Sequence, residues 1–298
     1  MSVDVTLPDG SVKTFDNPVS GFDIAKSIGS RLAKDAICLE IDNIFYDLSA
    51  IFVSDISVRI VTNNDPDALQ ILRHSSAHIL AQAVLNLHPS AKYGVGPSIE
   101  NGFYYDFLFK DPLKESDLIE IEKEMIKITE SGQEFTKSEI SKKDAKKLFK
   151  NQSFKIELIE SAETDEGISE EVVTLYSNDK FSDLCKGPHI PNTKYLKHFK
   201  LTKLGGAYWR GDEDNPQLQR IYGTSWFTKK DLDAYLIQQE EAEKRDHRKL
   251  GNELNLFTTS NELGSGNFLW KPKGAILRDL IETYSKNAHI NNNYDLVN

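Results

Sequence analysis

The stretch "VDVTLPDGSVKTF", Val3 to Phe15, decides how the chain begins to fold. Two runs of alternating apolar and polar residues flank the turn Pro8-Asp9-Gly10, a pattern that predicts a β-hairpin. A helix near Phe22 to Leu32 and short strands in "AICLEI", "IFYDL" and "ISVRIV" are predicted to follow. This order of hairpin, helix and further strands is typical of a ubiquitin-like β-grasp module, a fold that binds partners more often than it catalyses.

The best-defined helix of the sequence follows the polar stretch "TNNDPD". Asp65 is its predicted N-cap, Pro66 its first residue and Pro89 the residue that stops it. At about 100° per residue, His74 and His78 lie on one face, roughly opposite a stripe of leucine, alanine and valine side chains. Further apolar residues share the histidine face, so both faces are predicted to be buried and the histidines to line an internal cleft.

The rest of the chain mixes helical and strand patterns. Asn101-Gly102 predicts a hairpin, and Lys229 to about Leu250 predicts a long charged helix that crosses solvent. Strands are predicted for "FKIELIES", "EVVTLYSN" and "KFSDLC", and helices for "KESDLIEIEKEMIKITES" and "SKKDAKKLFKN". A further unit begins after the long helix, with Pro272 near a helix start, and we expect it to be cut off where this chain ends. Together these patterns predict an α+β fold.

The composition bounds what the chain can be. At 298 residues it exceeds a typical single domain, and its 39% hydrophobic and 28% charged residues are ordinary for a soluble globular protein. No apolar run is long enough to cross a bilayer, the N-terminus lacks the pattern of a secretion signal, and two cysteines are too few for a disulfide framework. These features predict a cytoplasmic protein without a membrane partner.

The net charge of -10 argues against a dedicated nucleic-acid coat protein, so any RNA contact is expected to be local. One segment, Asn192 to Arg210, alternates basic with aromatic residues, as single-stranded RNA binding requires. A solvated strand with an aromatic core side explains the same pattern equally well. The basic residues concerned are Lys194, Lys197, Lys200, Lys203 and Arg210.

Cys185 and His189 repeat the four-residue spacing of the two helical histidines. Helical positions four apart lie on one face, so the histidines of the helix can converge on a single point. Gly187-Pro188 disfavours a helix through the second pair, which is therefore predicted to lie on a turn after the strand "FSDLC". Asp183 falls on the same side of that strand as the cysteine, because side chains alternate with period two.

If the two pairs converge, three imidazoles and one thiolate meet, and several uses of them remain open. The side chains can serve only the packing of the core. They can hold Zn²⁺, either as a structural ion with four protein ligands or as a catalytic ion with three ligands and a water that ionises near neutral pH. They can also hydrolyse a substrate without metal, with a histidine or Lys155 supplying general base catalysis or proton transfer.

Several long motifs span almost the whole chain: "HSSAHILAQAV", "YGVGPSIENGFYYDF", "DLCKGPHIPNT", "HFKLTKLGGAYWRGDEDNPQLQRIYGTSW" and "DHRKLGNELNLF". In this order they closely resemble the N-terminal part of the threonyl-tRNA synthetases, a family of class II aminoacyl-tRNA synthetases. The resemblance implies a TGS domain at 1–63, an editing domain at 64–226 with a synthetase-associated subregion at 172–226, a linker helix at 227–252 and the start of a class II catalytic domain at 253–298.

The resemblance also implies an activity. In this family the editing domain hydrolyses serine wrongly attached to threonine tRNA, and the full-length enzyme charges that tRNA with threonine, using ATP, Mg²⁺ and a zinc site. The present chain contains none of the residues that bind ATP or that zinc. We therefore expect it to edit, with no required cofactor, and not to activate threonine. The full-length enzyme is expected to be a homodimer, whereas this segment is expected to be able to exist as a monomer.

Carried over by motif, the resemblance implies a set of editing residues on the two sides of one cleft. The implied catalytic residues are His74, His78, Lys155, Asp183, Cys185 and His189. Tyr104 and Asp106 are implied to bind substrate. For Cys185 we favour a positioning role over a nucleophilic one, because Asp183 opposes formation of a thiolate.

Two further functions stay open at this point. A related cluster in alanyl-tRNA editing proteins holds zinc, so a zinc-dependent hydrolase that edits in trans is one alternative, with His74, His78, Cys185 and His189 as ligands. The other is a non-catalytic module that docks a tRNA acceptor arm through the β-grasp fold and the basic segment.

Overall fold

The computed structural model describes residues 2–161, 167–168, 171–260, 264 and 267–297. They form helices and strands distributed over several separate sheets, which confirms the predicted α+β class. The chain divides into two compact units, Met1–Leu232 and Asp233–Asn298. None of the described helices has both the length and the apolar character needed to cross a membrane.

The first unit begins with the predicted β-grasp arrangement. The strands of this module are β1 (Ser2–Thr6), β2 (Val12–Asp16), β3 (Val19–Ser20), β4 (Ala36–Ile41), β5 (Ile44–Asp47), β6 (Ile51–Phe52), β7 (Ile56–Ser57) and β8 (Arg59–Thr62). β1 pairs antiparallel with β2, which confirms the predicted hairpin, and parallel with β7. β4 lies between β5 and β8, and the last residue of β5, Asp47, bonds to Tyr176 and His189 farther along the chain.

Two helices, α1 (Gly21–Ile28) and α2 (Ser30–Asp35), replace the single helix predicted near Phe22 to Leu32. Gly29 separates them with an extended backbone, at φ 172° and ψ 148°. Glycine is a poor helix former, so the helical pattern is interrupted at this position.

Helix α3 (Pro66–Leu87) follows, with Asp65 at the N-cap and Pro66 as its first residue, as predicted. The carboxylate of Asp65 does not cap the helix, because it accepts hydrogen bonds from the backbone and the hydroxyl of Thr62. Side chains are buried on both faces of α3 over most of the range 71–84, which confirms that the helix is enclosed. Its histidines therefore point into protein.

A five-stranded sheet packs against α3. Its strands are β9 (Lys92–Tyr93), β10 (Ser98–Ile99), β11 (Gly102–Leu108), β15 (His198–Tyr208) and β16 (Gln217–Trp226). Ile99 pairs with Gly102, so the predicted hairpin is present but its two-residue loop is Glu100-Asn101. A Cβ on Gly102 would lie 2.2 Å from the carbonyl oxygen of Gly223, so the strand pairing itself requires glycine there.

A second, three-stranded sheet consists of β12 (Thr136–Ser141), β13 (Val172–Asn178) and β14 (Phe181–Leu184). The helices of this region are α4 (Leu118–Ser131), α5 (Lys142–Leu148) and α6 (Ser153–Ser161). The prediction of a strand for 154–161 is wrong, because this segment is α6. Its buried residues, Phe154, Lys155, Leu158 and Ile159, repeat with the helical period, which a short apolar run does not distinguish clearly from a strand.

Helix α7 (Lys229–Lys244) spans the boundary between the units, and α8 (His247–Glu253), β17 (Phe257–Thr259), β18 (Phe268–Trp270) and α9 (Pro272–Asn291) belong to the second unit. The single helix predicted for Lys229 to about Leu250 is therefore divided between α7 and α8. Asp246 begins α8 by accepting a hydrogen bond from the backbone N–H of Arg248. Pro272 is the first residue of α9, as predicted.

Candidate functional site

The structure brings the two sequence pairs together. His74 and His78 lie on α3, Cys185 directly follows β14, and His189 lies in the loop after it. One nitrogen or sulfur atom from each side chain lies within 4.8 Å of the corresponding atom of every other. We call these four residues the His/Cys cluster.

The loop that carries Cys185 and His189 turns sharply at Gly187, which has φ +74°. A Cβ at this position would lie 2.0 Å from the hydroxyl oxygen of Tyr176, so both the backbone angle and the close approach require glycine. The N–H of Gly187 donates to Sγ of Cys185 at 3.1 Å. The turn therefore returns the chain toward the cluster and helps to hold the thiol in place.

Direct contacts link the members of the cluster. Nε2 of His74 lies 2.7 Å from Sγ of Cys185, and Nε2 of His189 lies 3.5 Å from the same sulfur. The ring centroid of His189 lies 4.7 Å from that of His74 and 4.3 Å from that of His78. Nδ1 of His78 is buried and has no hydrogen-bond partner among the described residues. This nitrogen is therefore a buried polar atom of the cluster that no described protein group satisfies.

Ser75 determines which nitrogen of His189 carries the proton. Its hydroxyl donates to the carbonyl oxygen of Ile71 at 2.8 Å, so its oxygen is left to accept. It accepts from the backbone N–H of Ile190 at 3.0 Å and lies 3.0 Å from Nδ1 of His189. Nδ1 of His189 is therefore the protonated nitrogen, and Nε2 presents its lone pair to the sulfur.

Burial keeps the imidazoles neutral. It lowers the pKa of His74 to about 4. Burial, and next the proximity of His74 and Lys155, lowers the pKa of His78 well below its ordinary value. The pKa of His189 falls well below its ordinary value through burial and then through the other two histidines. At neutral pH the cluster therefore offers uncharged nitrogen lone pairs.

A buried ion pair lies beside the cluster. Nζ of Lys155, on α6, is 2.5 Å from Oδ1 of Asp183, on β14, and both side chains are almost fully buried. Tyr105 donates its hydroxyl proton to Oδ2 of Asp183, and Nε2 of His78 lies 3.9 Å from the same oxygen. Burial raises the pKa of Asp183, while the hydrogen bonds and the charge of Lys155 oppose that rise. The carboxylate thus connects the lysine to the His/Cys cluster.

Tyr104 and Asp106 lie on the other face of the sheet. Their strand neighbours on β16 are Tyr222 and Arg220, and the guanidinium of Arg220 forms a bidentate ion pair with Asp106 at 2.6 and 2.8 Å. The same guanidinium lies 3.8 Å from the ring centroid of Tyr104. Because side chains alternate along a strand, it is Tyr105 that points toward Asp183. The structure therefore does not bring Tyr104 or Asp106 to the cluster.

An open cleft of about 430 Å³ gives access to the cluster. His74 and Cys185 line it, together with Phe45 from β5 and Lys186 from the loop. Its volume is in the range of small-molecule sites in proteins. Sequence reasoning missed Phe45, Lys186, Ser75 and Tyr105, since neither the four-residue spacings nor the resemblance marked these positions as functional.

The five basic residues of the segment 192–210 are exposed, and several of them contact other side chains of the same chain. Lys200 pairs with Glu122 at 2.8 Å, and Arg210 pairs with Glu157 at 2.9 Å. Nζ of Lys203 lies 4.9 Å from the ring centroid of Tyr222. Trp209 is buried, so its ring is not available to stack on a base. Of the residues that the structure describes, those lining the cleft include none of these five.

The donor set of the cluster fits zinc chemically. Three imidazole nitrogens and one thiolate are typical zinc ligands, and in a tetrahedral site such atoms lie roughly 3.3–3.6 Å apart. The distance of 3.5 Å between Cys185 and His189 is of this size, whereas that of 2.7 Å between His74 and Cys185 is that of a hydrogen bond. The unpartnered Nδ1 of His78 has the chemistry of a further ligand. The residues that would hold the ion are the four of the cluster.

Two segments of the first unit match known family models. Residues 3–62 match the TGS domain, and residues 173–222 match the Threonyl and Alanyl tRNA synthetase second additional domain. The second match includes all but the first residue of β13, together with β14 and the loop that carries Cys185 and His189. The β-grasp module and half of the His/Cys cluster thus lie within the matched segments.

Curated relatives match nearly the whole chain. It is 47% identical over 297 residues to the threonine–tRNA ligase of Citrifermentans bemidjiense, covering 99% of the chain and 46% of the relative. Identity is 46% over 298 residues with the enzyme of Enterococcus faecalis and 48% over 295 residues with that of Laribacter hongkongensis, covering 100% and 98% of the chain and 45% and 46% of the relative. The chain spans a little under half the length of these relatives. It belongs to the threonine–tRNA ligase family.

Proposed function

We propose that the His/Cys cluster hydrolyses the ester bond of a mischarged tRNA, with serine on threonine tRNA as the substrate. The observation that carries the proposal is the convergence of His74, His78, Cys185 and His189 at an open cleft, beside the buried pair of Lys155 and Asp183. The match of residues 173–222 to a domain of threonyl and alanyl tRNA synthetases supports it. Residues 64–226 are the proposed editing domain, after a TGS domain at 1–63.

The need for a second site follows from the size of the two amino acids. Serine and threonine differ by one methyl group, which contributes only about 1–3 kcal/mol to discrimination in a binding pocket. A cleft that admits serine and excludes threonine by crowding the methyl group removes the error after it has occurred. The ester is already reactive, so a positioned water and a route for its proton are sufficient for hydrolysis.

We assign the roles as follows. His74 is the partly exposed imidazole of the cluster, and it is neutral at physiological pH because burial lowers its pKa to about 4. It accepts a hydrogen bond from the attacking water, takes the proton as the water oxygen bonds to the carbonyl carbon, and returns it to the ribose oxygen that leaves. Cys185 orients His74 through the contact of 2.7 Å between Sγ and Nε2. His78, whose Nδ1 has no partner among the described residues, binds the hydroxyl of serine.

Lys155 and Asp183 provide the fixed charges of the site. The carboxylate holds Nζ of Lys155 at 2.5 Å and faces His78 at 3.9 Å, so it restrains the ring that binds the serine hydroxyl. Tyr105 donates to the same carboxylate, which keeps its orientation when substrate enters.

For the whole protein we propose ATP-dependent attachment of threonine to threonine tRNA, the activity named for the relatives above. ATP, Mg²⁺, threonine and a zinc ion would be its ligands there, and a homodimer in the cytoplasm its working form. The residues 227–252 are the proposed linker, and 253–298 the proposed start of the catalytic domain. The basic residues of the segment 192–210 are proposed tRNA contacts outside the cleft.

Hydrolysis of Ser-tRNA and Thr-tRNA by this chain tests the editing proposal. We expect release of serine and retention of threonine, and loss of the activity in His74→Ala. His88→Ala is the matched control, since His88 is the C-cap of the same helix and lies outside the cleft. Binding of the tRNA without release of serine would contradict the proposal and favour a docking module.

A zinc-dependent hydrolase is the second candidate, and the donor set with the open Nδ1 of His78 is the observation that favours it. A bound zinc ion would lower the pKa of a water toward neutrality. Elemental analysis of the purified chain distinguishes the candidates. Stoichiometric zinc, lost on chelation together with the activity, would favour the second, and full activity without zinc would exclude it.

A further inference from the structure

Asp47 connects the β-grasp module to the loop that carries the cluster. It is the last residue of β5, and its Oδ1 accepts a hydrogen bond of 2.9 Å from the backbone N–H of His189. Its Oδ2 accepts a hydrogen bond from the hydroxyl of Tyr176, on β13. One carboxylate of the N-terminal module therefore holds two groups on the other side of the domain border.

Tyr176 also contacts the loop that carries His189. Its hydroxyl oxygen lies against Gly187, where a Cβ would come within 2.0 Å, and its ring centroid is 4.5 Å from that of His189. Phe135 stacks on the His189 ring, with the planes 2° from parallel and the centroids 4.6 Å apart. The ring is thus restrained by stacking, its Nδ1 by Ser75 and its main chain by Asp47.

The same module also forms part of the cleft wall. Phe45, two residues before Asp47 on β5, lines the cleft together with His74 and Cys185. Successive side chains of a strand point to opposite faces, so Phe45 and Asp47 point to the same side of β5, toward the loop. Both a wall of the cleft and an anchor of the loop therefore come from the β-grasp module.

We propose that Asp47 is a positioning residue for His189, and that the β-grasp module completes the hydrolytic site of the neighbouring domain. The inference rests on the proposed function for its consequence in catalysis. Without the carboxylate, the N–H of His189 and the hydroxyl of Tyr176 lose their acceptor, and Nε2 of His189 is no longer held at 3.5 Å from Sγ of Cys185. Displacements of about 1 Å in catalytic groups reduce rates by as much as roughly 100-fold.

The test compares three variants of the 298-residue chain in the release of serine from Ser-tRNA. We expect Asp47→Ala to lower kcat by roughly 10- to 100-fold with little change in KM, because Asp47 is not among the described residues that line the cleft. Asp47→Asn is expected to keep most of the activity, since its amide accepts from His189 and donates to the oxygen of Tyr176. Asp55→Ala is the matched control, because Asp55 also accepts a backbone N–H, that of Asp4, within the same module.

A second arm separates positioning from a general loss of stability. In a His189→Ala background, adding Asp47→Ala is expected to change kcat less than about twofold, since both changes act on one side chain. An equal effect of Asp47→Ala with and without His189 would overturn the inference. If Asp47→Ala fails to fold, Asp47→Asn replaces it in this comparison. A loss of kcat in Asp47→Asn as large as that in His189→Ala would also contradict the inference.

A third arm does not depend on activity. The ring ¹⁵N signals of His189 are expected to move in Asp47→Ala and to stay unchanged in Asp55→Ala. Unchanged signals in both variants would overturn the positioning role even if the chain hydrolyses Ser-tRNA. If the chain hydrolyses nothing but the signals move as expected, the proposed function fails and the structural role of Asp47 stands.

Discussion

The hydroxyl oxygen of Ser75 lies 3.0 Å from Nδ1 of His189 and fixes which imidazole nitrogen faces the thiol of Cys185. Ser75 is next to His74 in the sequence, but it lies on a different side of α3 and contacts the far end of the cluster. Helix α3 thus contributes the ring of His74 directly and orients the ring of His189 through Ser75. Such an orienting contact is comparable in importance to the groups that it orients.

We expect Ser75→Ala to release His189 into a mixture of tautomers and to lower the rate of serine release by roughly tenfold. The buried N–H of Ile190 also loses its acceptor, which costs about 1–3 kcal/mol of unfolding free energy. Ring ¹⁵N spectra and single-turnover hydrolysis measure the two effects. Ser76→Ala is the control, since Ser76 is equally buried but bonds to Leu72 and Ser225. A wild-type tautomer in Ser75→Ala would contradict the assignment.

The pair of Lys155 and Asp183 predicts a non-additive effect on stability. Lys155→Met leaves the carboxylate buried without its charged partner, and removing one member of a buried ion pair typically costs about 3–5 kcal/mol. Adding Asp183→Asn removes the unpaired charge, so the double variant is expected to be more stable than Lys155→Met alone. Urea unfolding curves give the free energies. If the double variant is less stable than both single variants, the two side chains are not coupled as a pair.

Adjacent tyrosines on β11 provide a comparison within one strand. Tyr105→Phe removes the hydroxyl that donates to Asp183 and is expected to lower both hydrolysis and stability, the latter by about 1.5–3 kcal/mol for a bond to a charged acceptor. Tyr104→Phe keeps the ring under Arg220 on the other face and is expected to change neither. Kinetics and urea unfolding of the two variants show which of the two tyrosine hydroxyls contributes to hydrolysis and stability. The opposite pattern would restore Tyr104 as the residue that contacts the substrate.

These residues show where sequence patterns suffice. The burial of both faces of α3 and the turn at Gly187 follow from local periodicity and backbone chemistry, and they place the histidines and Cys185 correctly on a helix and a loop. Tyr104 and Tyr105 both lie in one motif, and only the packing of the strand against α3 decides which one points inward. A resemblance carried over by motif cannot separate two neighbours of the same type.

Contacts between distant segments explain why sequence patterns did not predict the remaining features of the site. Lys155 is part of a short apolar run that reads equally well as a strand, and its position on α6 follows from packing against the domain core. Asp47 and His189 are separated by 142 residues, and nothing in either neighbourhood signals the other. Their contact depends on how the β-grasp module packs against the rest of the first unit, which no local pattern encodes.

The lowered pKa values of His74, His78 and His189 predict a loss of stability in acid. The pKa of His74 is about 4 in the folded chain and 6.5 in an unfolded one. Below about pH 6.5 the unfolded state therefore binds a proton that the folded state does not, and the free energy of unfolding falls as the pH drops toward 4. The shifts of His78 and His189 have the same direction and add to this fall.

We expect His74→Gln to lose less stability than the wild type between about pH 7 and about pH 5, because one of the groups that take up a proton on unfolding is gone. Urea unfolding of both proteins, with EDTA present to exclude metal binding, gives the difference between the two slopes. Other titrating groups are common to both proteins and cancel in this difference. An identical pH dependence in the variant would show that His74 titrates normally in the folded chain, and the lowered pKa assigned to it would be wrong.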